Sequence, residues 1–540
     1  MAAVPAVPVT PGAGRPTAAP LTAAARLTAA IGSPAVARAT GVAALGLLAL
    51  VALLGDSAAV PGLGPATGTP PWDLAARPPS WLVTVLVAAG YGLGATAVAV
   101  GLRAVAAGYR PRPRAVALAG AAAVAVLVMV PPLGSADHLS YVAYGRIAAA
   151  GDDPYAVLPL DWRGGHDPVA GAVAPPWQRT PSVYGPVATA AQALVADLGG
   201  GSLRLTVWWW QVLCGAAFLL VGVMLDRLAR SGWPSSRDRA GDLGGDVAGA
   251  RARVAVVWTL NPLLLGQLVL GAHVDVLAVA LAVAGLAVAL RRRTTGGLEV
   301  AGMLLGGAVA TKAPYGLFGL AALWSLRGLP PRRRIVGAVA LAVGALVVLV
   351  PAYRWAGPHA FDQLRQASRF TSLATPWRAV ANLGDLLLGS GGSAPFVAPA
   401  ALVLSALLAV RLWRRSAVAE PPGAQPPDGE RPDGEPPDGV RAVVALTAAW
   451  VLLAPYALPW YDAMVWAPLA LAAPSALDGL LLARLTVLAL AYVPGRVVGM
   501  TPAVETLTLG FRRYAAPVLV LVVIVAAVRR RPAPPLRRPA

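Results

Sequence analysis

The chain has little of what a soluble protein of its length needs. Only 13% of its 540 residues are charged, against 57% hydrophobic, so it has too few polar side chains to cover several soluble domains. Its single cysteine, Cys214, excludes an intrachain disulfide and argues against a thiolate metal cluster. Lysine is nearly absent too, since Lys312 is the only lysine among 44 basic residues. These deficits predict that lipid, and not water, surrounds most of the chain.

Long apolar runs are what the sequence has in abundance. Runs of about the length that spans roughly 30 Å of hydrocarbon are 40–54, 81–104, 114–133, 205–226, 253–290, 335–352, 396–413, 441–456, 479–494 and 514–528. Backbone in lipid must satisfy its own hydrogen bonds, so these runs are expected to be helical. His273 and Asp275 predict a turn inside 253–290, and Lys312 predicts a short hairpin within 298–326. The predicted fold class is all-α, a polytopic transmembrane helical bundle of about 14 helices including that hairpin.

The basic residues predict an orientation. A net charge of +19 could indicate nucleic-acid binding, but the arginines cluster beside the apolar runs, which is the pattern that orients membrane helices. We therefore predict no nucleic-acid partner and a multi-pass cell-membrane protein surrounded by membrane lipids. A cytoplasmic N-terminus places every arginine cluster in the cytoplasm and leaves four segments outside. These are 56–80, 134–203, 353–395 and 496–512.

Composition also divides the chain. The segment 416–440 repeats Pro-Pro-Asp-Gly units, which have nothing to bury and a strong turn bias. The predicted parts are a disordered cytoplasmic tail (1–35), a transmembrane catalytic module (36–415) with outer loops 134–203 and 353–395, a disordered cytoplasmic linker (416–440), C-terminal transmembrane helices (441–530) and a basic tail (531–540).

Asp137 is the leading candidate for chemistry. It follows a predicted helix end, where a carboxylate escapes the cost of about 2.5–3.5 kcal/mol for entering hydrocarbon but stays at the membrane surface. A base at that depth could act on a lipid-carried substrate. If a helix follows, Tyr141 and Tyr144 share a face with Asp137. The alternative is that Asp137 only caps this helix.

Other motifs in the 134–203 segment have plain structural explanations. Asp153 and Tyr155 flank a proline, and Asp before Pro initiates turns. Tyr184 precedes a Gly-Pro pair. Turn geometry alone would account for each pattern, so their candidacy as binding residues depends on what lies near them.

The remaining ionisable residues lie in apolar surroundings. His273 and Asp275 are at the predicted outer junction of two helices, where an ionisable pair beside lipid requires a reason. A hydrogen-bonded loop closure would be sufficient reason. Lys312, at the tip of the short hairpin, could bind a phosphate or pair with a carboxylate such as Asp275.

Two later outer stretches add cations and aromatic rings. Arg365 and Arg369 lie in an amphipathic stretch, and arginines four apart on one helical face can bind a phosphate. Such a stretch can equally lie in the headgroup layer with its charges solvated. Trp460 and Tyr461 would suit an aromatic belt. Because acids, bases and cations from separated parts of the chain all project outward, we predict one outward-facing polar cavity.

The order of these motifs resembles a known family. They are the Asp137–Tyr155 segment with its Asp-Pro-Tyr, Tyr184-Gly185-Pro186, the Asn261-Pro262-Leu-Leu-Leu run leading to Gly271-Ala-His273-Val-Asp275, and Leu458-Pro459-Trp460-Tyr461. Over residues 36–530 the chain resembles actinobacterial polyprenol-phosphate-mannose-dependent alpha-1,6-mannosyltransferases, integral membrane glycosyltransferases of the GT-C type. It departs from the family at Ala272 and Val274, where the family's loop is Gly-Gly-His-Asn-Asp-like, and in its long 416–440 linker.

The resemblance implies an activity and roles for the candidates. It implies inverting transfer of mannose from polyprenyl-phosphate-mannose to a lipid-linked mannan or phosphatidylinositol mannoside, on the outer face of the membrane. Asp137 would be the catalytic base, and a donor with one phosphate implies no metal and no cofactor. The candidate substrate-binding residues are Tyr141, Tyr144, Asp153, Tyr155, Tyr184, His273, Asp275, Lys312, Arg365, Arg369, Trp460 and Tyr461, with Lys312 and the two arginines as candidates for the phosphate.

Other functions fit the same composition. A transporter or flippase of a lipid-linked sugar would also have many helices, but it predicts internal repeats and charges near mid-membrane, and neither is evident in the sequence. A noncatalytic scaffold would not need an acid, a base and a cation on one side. A GT-C enzyme that uses another sugar, such as arabinose or glucose, would share nearly every feature.

Overall fold

The described residues form an all-helical bundle, as the apolar runs predict. The computed structural model describes residues 33–65, 68–231, 246–389, 391–417, 438–496 and 498–529, and these contain no strand. Their eighteen helices, in chain order, are α1 (Pro34–Leu54), α2 (Ser80–Ala106), α3 (Pro113–Leu127), α4 (Asp137–Ala149), α5 (Pro186–Gly199), α6 (Leu203–Arg230), α7 (Val247–Leu270), α8 (Asp275–Arg291), α9 (Thr295–Thr311), α10 (Gly316–Ser325), α11 (Pro331–Ala356), α12 (His359–Ala367), α13 (Trp377–Leu388), α14 (Ala394–Ala417), α15 (Asp438–Leu453), α16 (Ala463–Leu469), α17 (Ala476–Ala491) and α18 (Pro502–Arg529).

Seven of these helices are long and apolar enough to cross a membrane: α1, α2, α6, α7, α11, α14 and α18. Helix α11 exposes large apolar side chains such as Ile335, Val339 and Leu346. Its inner face is built from small residues, and Gly344 lies directly against the backbone of Glu299 in α9. Small residues that let two backbones approach are typical of helix packing in lipid, where apolar burial gives no advantage. The chain therefore forms a polytopic membrane protein.

The helix count exceeds the predicted fourteen because four short helices, which that count did not include, lie in the outer segments 134–203 and 353–395. These are α4, α5, α12 and α13. Each has 14 residues or fewer, too short for the hydrophobic span that hydropathy detects. The predicted interruptions of 253–290 and 298–326 are present, after Leu270 and at Lys312. Predictions for 1–32, 418–437 and 530–540 fall outside the described residues.

A buried ion pair fixes the loop that carries two of the candidate aromatic residues. Asp462 ends the turn Pro459–Asp462, and Arg484 of α17 donates to its carboxylate. Both side chains are almost wholly buried. A buried charge without its partner is strongly destabilising, so this pair holds the turn against α17 and fixes the positions of Trp460 and Tyr461.

Helix α4, which begins at Asp137, is fixed in place by a close approach to α5. A Cβ atom built at Gly145 would overlap the backbone carbonyl of Gln192. Backbone cannot move aside as a flexible side chain can, so only glycine fits there. The contact sets the depth at which α4 presents its first turn.

We expect Gly145→Ala to lower the free energy of unfolding by about 1–3 kcal/mol, because overpacking forces the two helices apart. Gly92→Ala in α2 is the matched control, since a Cβ there meets nothing within 4 Å. Thermal unfolding of the detergent-purified protein measures both variants. Equal melting temperatures for the two would contradict the proposed close contact.

Candidate functional site

Four ionisable residues from three parts of the chain meet at helix ends. Asp137 is the first residue of α4, His273 lies in the turn after α7, Asp275 begins α8, and Lys312 follows α9. The Oδ2 atom of Asp137 is 4.0 Å from Nε2 of His273. Lys312 Nζ donates to both carboxylate oxygens of Asp275, at 2.7 and 2.8 Å. We call these four residues the polar centre.

A directional chain of hydrogen bonds joins α7 to α4 through His273. The Nδ1 atom of His273 is 2.5 Å from the carbonyl oxygen of Gln267, so Nδ1 carries the proton because a carbonyl only accepts. Its Nε2 atom therefore accepts from the Ser135 hydroxyl, at 3.0 Å. Ser135 Oγ in turn accepts the backbone N–H of Asp137, also at 3.0 Å. Burial lowers the pKa of His273 to about 3, which keeps the imidazole neutral in this arrangement.

Aromatic rings form the walls of the polar centre. The His273 ring stacks on Trp460 with centroids 3.6 Å apart and planes 14° apart. Lys312 Nζ lies 3.5 Å from the centroid of the Tyr461 ring, a cation–π contact that strengthens when water is excluded. Tyr141, whose hydroxyl lies near Asp137, meets Tyr184 edge to face, with centroids 4.9 Å apart. These rings limit water around the charged groups.

Asp137 combines partial exposure with a strongly perturbed acidity. Its side chain is 19% exposed, whereas that of His273 is 1% exposed, so Asp137 is the member of that pair that a substrate can reach. The Tyr141 hydroxyl lies 3.5 Å from its Oδ2. Burial raises the pKa of Asp137 to about 6, although the nearby Lys312 ammonium lowers it. A carboxyl with a pKa near neutrality suits general-base work. The capping alternative is not seen, because Ala136 is the N-cap and has no side-chain cap bond.

Three of the predicted residues, Tyr144, Asp153 and Tyr155, form their hydrogen bonds outside the polar centre. The Tyr144 hydroxyl donates to the Thr180 carbonyl at 2.8 Å. Asp153 accepts from the Tyr155 backbone N–H at 2.8 Å, and its Oδ2 lies 2.7 Å from Nδ1 of His359. These contacts tie the loop after α4 to α12, in line with the turn chemistry expected of the Asp-Pro-Tyr motif.

The two predicted arginines do not share a helical face. Helix α12 ends at Ala367, where the Ser368 hydroxyl donates to the Arg365 carbonyl, so Arg369 lies beyond the helix end. This corrects the expected helical stretch through residue 370. Arg365 is 79% exposed and lies 3.5 Å from Asp362. Arg369 lines a cavity of about 420 Å³ that Tyr456 also borders.

Sequence reasoning missed several supporting residues. Gln267 was detectable as a lone polar residue in an apolar run six positions before His273, but Ser135 gave no such signal. Trp210 in α6 donates from Nε1 to the carbonyl of Ala272, at 2.8 Å. Ala272 has a left-handed φ of 53°, a conformation that favours glycine, and it stands where the resembling family has glycine. The Trp210 bond helps to hold this strained turn.

The donor set does not suggest a metal ion. Among the described residues no group of three His, Cys, Asp or Glu side chains is placed to hold one. Both carboxylate oxygens of Asp275 already accept hydrogen bonds from Lys312. Fold and site together define a polytopic all-α membrane protein with a partly exposed carboxylate at a buried polar centre.

Comparison with known proteins identifies the family. The family model described as Alpha-(1->6)-mannopyranosyltransferase, N-terminal domain, matches residues 38–328, more than half of the chain. The chain belongs to this family, as its motifs suggested. The matched region contains Asp137, His273, Asp275 and Lys312 and ends before the turn that carries Trp460. No solved structure matches the chain.

Curated relatives carry the same family name. The chain is similar to Alpha-(1->6)-mannopyranosyltransferase A of Mycobacterium tuberculosis, 31% identical over 222 residues, which are 41% of this chain and 39% of the relative. It is 30% identical to a probable alpha-(1->6)-mannopyranosyltransferase of Mycolicibacterium smegmatis over 247 residues, 42% and 38% of the two chains. Alpha-(1->6)-mannopyranosyltransferase B of Corynebacterium glutamicum is 29% identical over 168 residues, 30% and 25%. The chain thus spans about two fifths of the length of the first two relatives.

Lys312→Met should lower the free energy of unfolding by about 3–5 kcal/mol, because it leaves the Asp275 carboxylate buried without a cation. The double variant Lys312→Met/Asp275→Leu removes both charges and should recover most of the loss. Thermal unfolding in detergent compares the two proteins with the wild type. Additive losses in the double variant would mean that the pair is not coupled.

Proposed function

We propose that this protein transfers mannose from polyprenyl-phosphate-mannose to a lipid-linked mannan or phosphatidylinositol mannoside. The proposal includes an alpha-1,6 linkage, inversion at the anomeric carbon and a site on the outer face of the membrane. Family membership and the names of the relatives support the sugar and the linkage. The single observation that carries the proposal is the partly exposed Asp137 carboxylate, with its raised pKa, at the polar centre.

The reaction needs a base on one side of the sugar. The acceptor hydroxyl oxygen attacks the anomeric carbon, and Asp137 takes its proton. The bond from that carbon to the phosphate oxygen breaks, and the polyprenyl phosphate leaves with the electron pair. A positioned base contributes about 10²–10⁴-fold to such a step. Attack opposite the departing phosphate gives inversion.

The other members of the polar centre would prepare Asp137 for this step. Lys312 donates twice to Asp275 and faces the Tyr461 ring with its remaining side, so it acts through its charge and not as a free donor. That charge lowers the pKa of Asp137 from a still higher value and keeps the carboxylate ionised near neutral pH. His273 and Ser135 position the backbone of Asp137 at the start of α4.

Asp137→Asn should reduce mannose transfer by about 10²–10⁴-fold, because the amide cannot accept the proton. Asp161→Asn is the control, since Asp161 is a 48% exposed carboxylate in the same outer segment, paired with Arg179. Transfer is assayed with purified protein in detergent, where no transport between compartments exists, so activity there also argues against the flippase alternative. Full activity of a well-folded Asp137→Asn variant would remove Asp137 from this role.

The rate should depend on pH through Asp137. Its ionised form is the base, so transfer should be constant above about pH 6 and fall about tenfold per unit below it, since burial raises the pKa of Asp137 to about 6. The measurement is kcat/KM across pH 4.5–8. A rate that stays constant down to pH 4.5, as expected for an ordinary carboxylate with a pKa of about 4, would be inconsistent with Asp137 as the base.

A further inference from the structure

A cavity of about 420 Å³ lies beside the polar centre. Among the residues that line it are Arg369, Arg378 and Asp385, with Trp177, Phe370 and Tyr456 as aromatic walls. Its wall is tied to the loop before Trp460, because the Thr375 hydroxyl donates to the Pro455 carbonyl at 3.0 Å. The cavity is therefore part of the same structure that positions Trp460 and Tyr461.

The charge of this cavity suits one phosphate. Two arginines and one aspartate line it, and two positive charges less one negative charge leave +1. Asp385 already accepts from the backbone N–H and the hydroxyl of Ser393, at 3.0 and 2.6 Å. Within the described part of the chain neither arginine forms an ion pair. A sugar phosphodiester carries a single negative charge, and a guanidinium is the side chain best suited to phosphate oxygens.

The location of Arg378 also favours an anion in the cavity. It is the second residue of α13, and the positive end of a helix dipole favours an anion nearby. Arg369 approaches from the segment after α12. The cavity thus receives two cations from different elements, which the spacing of residues in the sequence does not reveal.

The cavity also adjoins an apolar surface. Helix α13 turns Ala381 and Asp385 to the cavity and exposes Leu383, Leu386 and Leu387 to 58%, 80% and 73%. A short helix with one apolar and one polar face typically lies in the membrane interface. A lipid whose phosphate occupied the cavity would have this leucine face available for its hydrocarbon chain.

A short series of aromatic rings separates the cavity from the polar centre. Phe370 and Tyr456 have centroids 5.6 Å apart, and Tyr456 and Tyr461 have centroids 6.1 Å apart. Lys312 lies on the Tyr461 ring. The cavity therefore adjoins the polar centre through these aromatic contacts.

We infer that this cavity binds the phosphate of a polyprenyl-phosphate lipid through Arg369 and Arg378, with the polyprenyl chain along the leucine face of α13. The identity of the lipid rests on the proposed function. The inference excludes Lys312 as the phosphate ligand, because its N–H groups are already engaged. It also excludes Arg365, which does not line the cavity.

The test is equilibrium binding of a radiolabelled polyprenyl phosphate to the full chain in nanodiscs of zwitterionic lipid. Arg369→Ala and Arg378→Ala should each raise the Kd about tenfold, because each removes a charge-assisted contact with the phosphate. Arg354→Ala is the matched control, an exposed arginine at the end of α11, and it should change the Kd less than about twofold.

Two competitors separate the sources of the phosphate. Uncharged polyprenol should compete poorly and equally in all variants, and inorganic phosphate should displace the lipid only at far higher concentration. Displacement by inorganic phosphate at equal concentration, a comparable loss in Arg354→Ala, or an unchanged Kd in both cavity variants would overturn the inference. Binding is measured without turnover, so the two proposals can fail separately. If the cavity variants weaken binding as expected but the protein transfers no mannose, the inference stands and the proposed function is wrong. If the protein transfers mannose but the cavity variants bind as the wild type does, only the inference is wrong.

Discussion

The buried pair of Asp275 and Lys312 is the constraint on which the rest of the site depends. Neither charge could remain in an apolar bundle alone, so each requires the other at hydrogen-bond distance. Meeting that requirement fixes the start of α8 and the end of α9 relative to each other. It also places a cation on the Tyr461 ring and within the electrostatic reach of Asp137. One interaction therefore sets both the local backbone and the acidity of the candidate base.

The hydrogen-bond chain through His273 is the second interaction that fixes the geometry of the site. Its direction is set at one end by the Gln267 carbonyl, which can only accept, and each later donor follows from that. Stacking on Trp460 holds the imidazole plane, and the Asp462–Arg484 pair holds Trp460. Residues far apart in sequence thus fix the backbone position of Asp137 at the start of α4. A base must be held in position in this way before the substrate arrives.

The sequence predicted those parts of the fold and site that follow from solvent chemistry. An acid and an imidazole inside an apolar run mark a break in a helix, so the turn at His273 could be found, and so could Asp137 at a helix end. The number of short helices could not, because α4 and α13 are held by packing and not by hydropathy. The grouping of Arg369 with Arg378 was equally hidden, since α12 ends before Arg369 and only the folded segment brings these residues to one cavity.

The location of the charged groups distinguishes between the two leading functions. A transporter must move charge past the middle of the bilayer, and its polar residues line interrupted helices there. Here the members of the polar centre lie at the start of α4, between α7 and α8, and after α9. These positions at helix ends differ from those that a transport route requires. The partly exposed carboxylate of Asp137 at such an end is instead what the proposed group transfer requires, because the acceptor hydroxyl must reach its base.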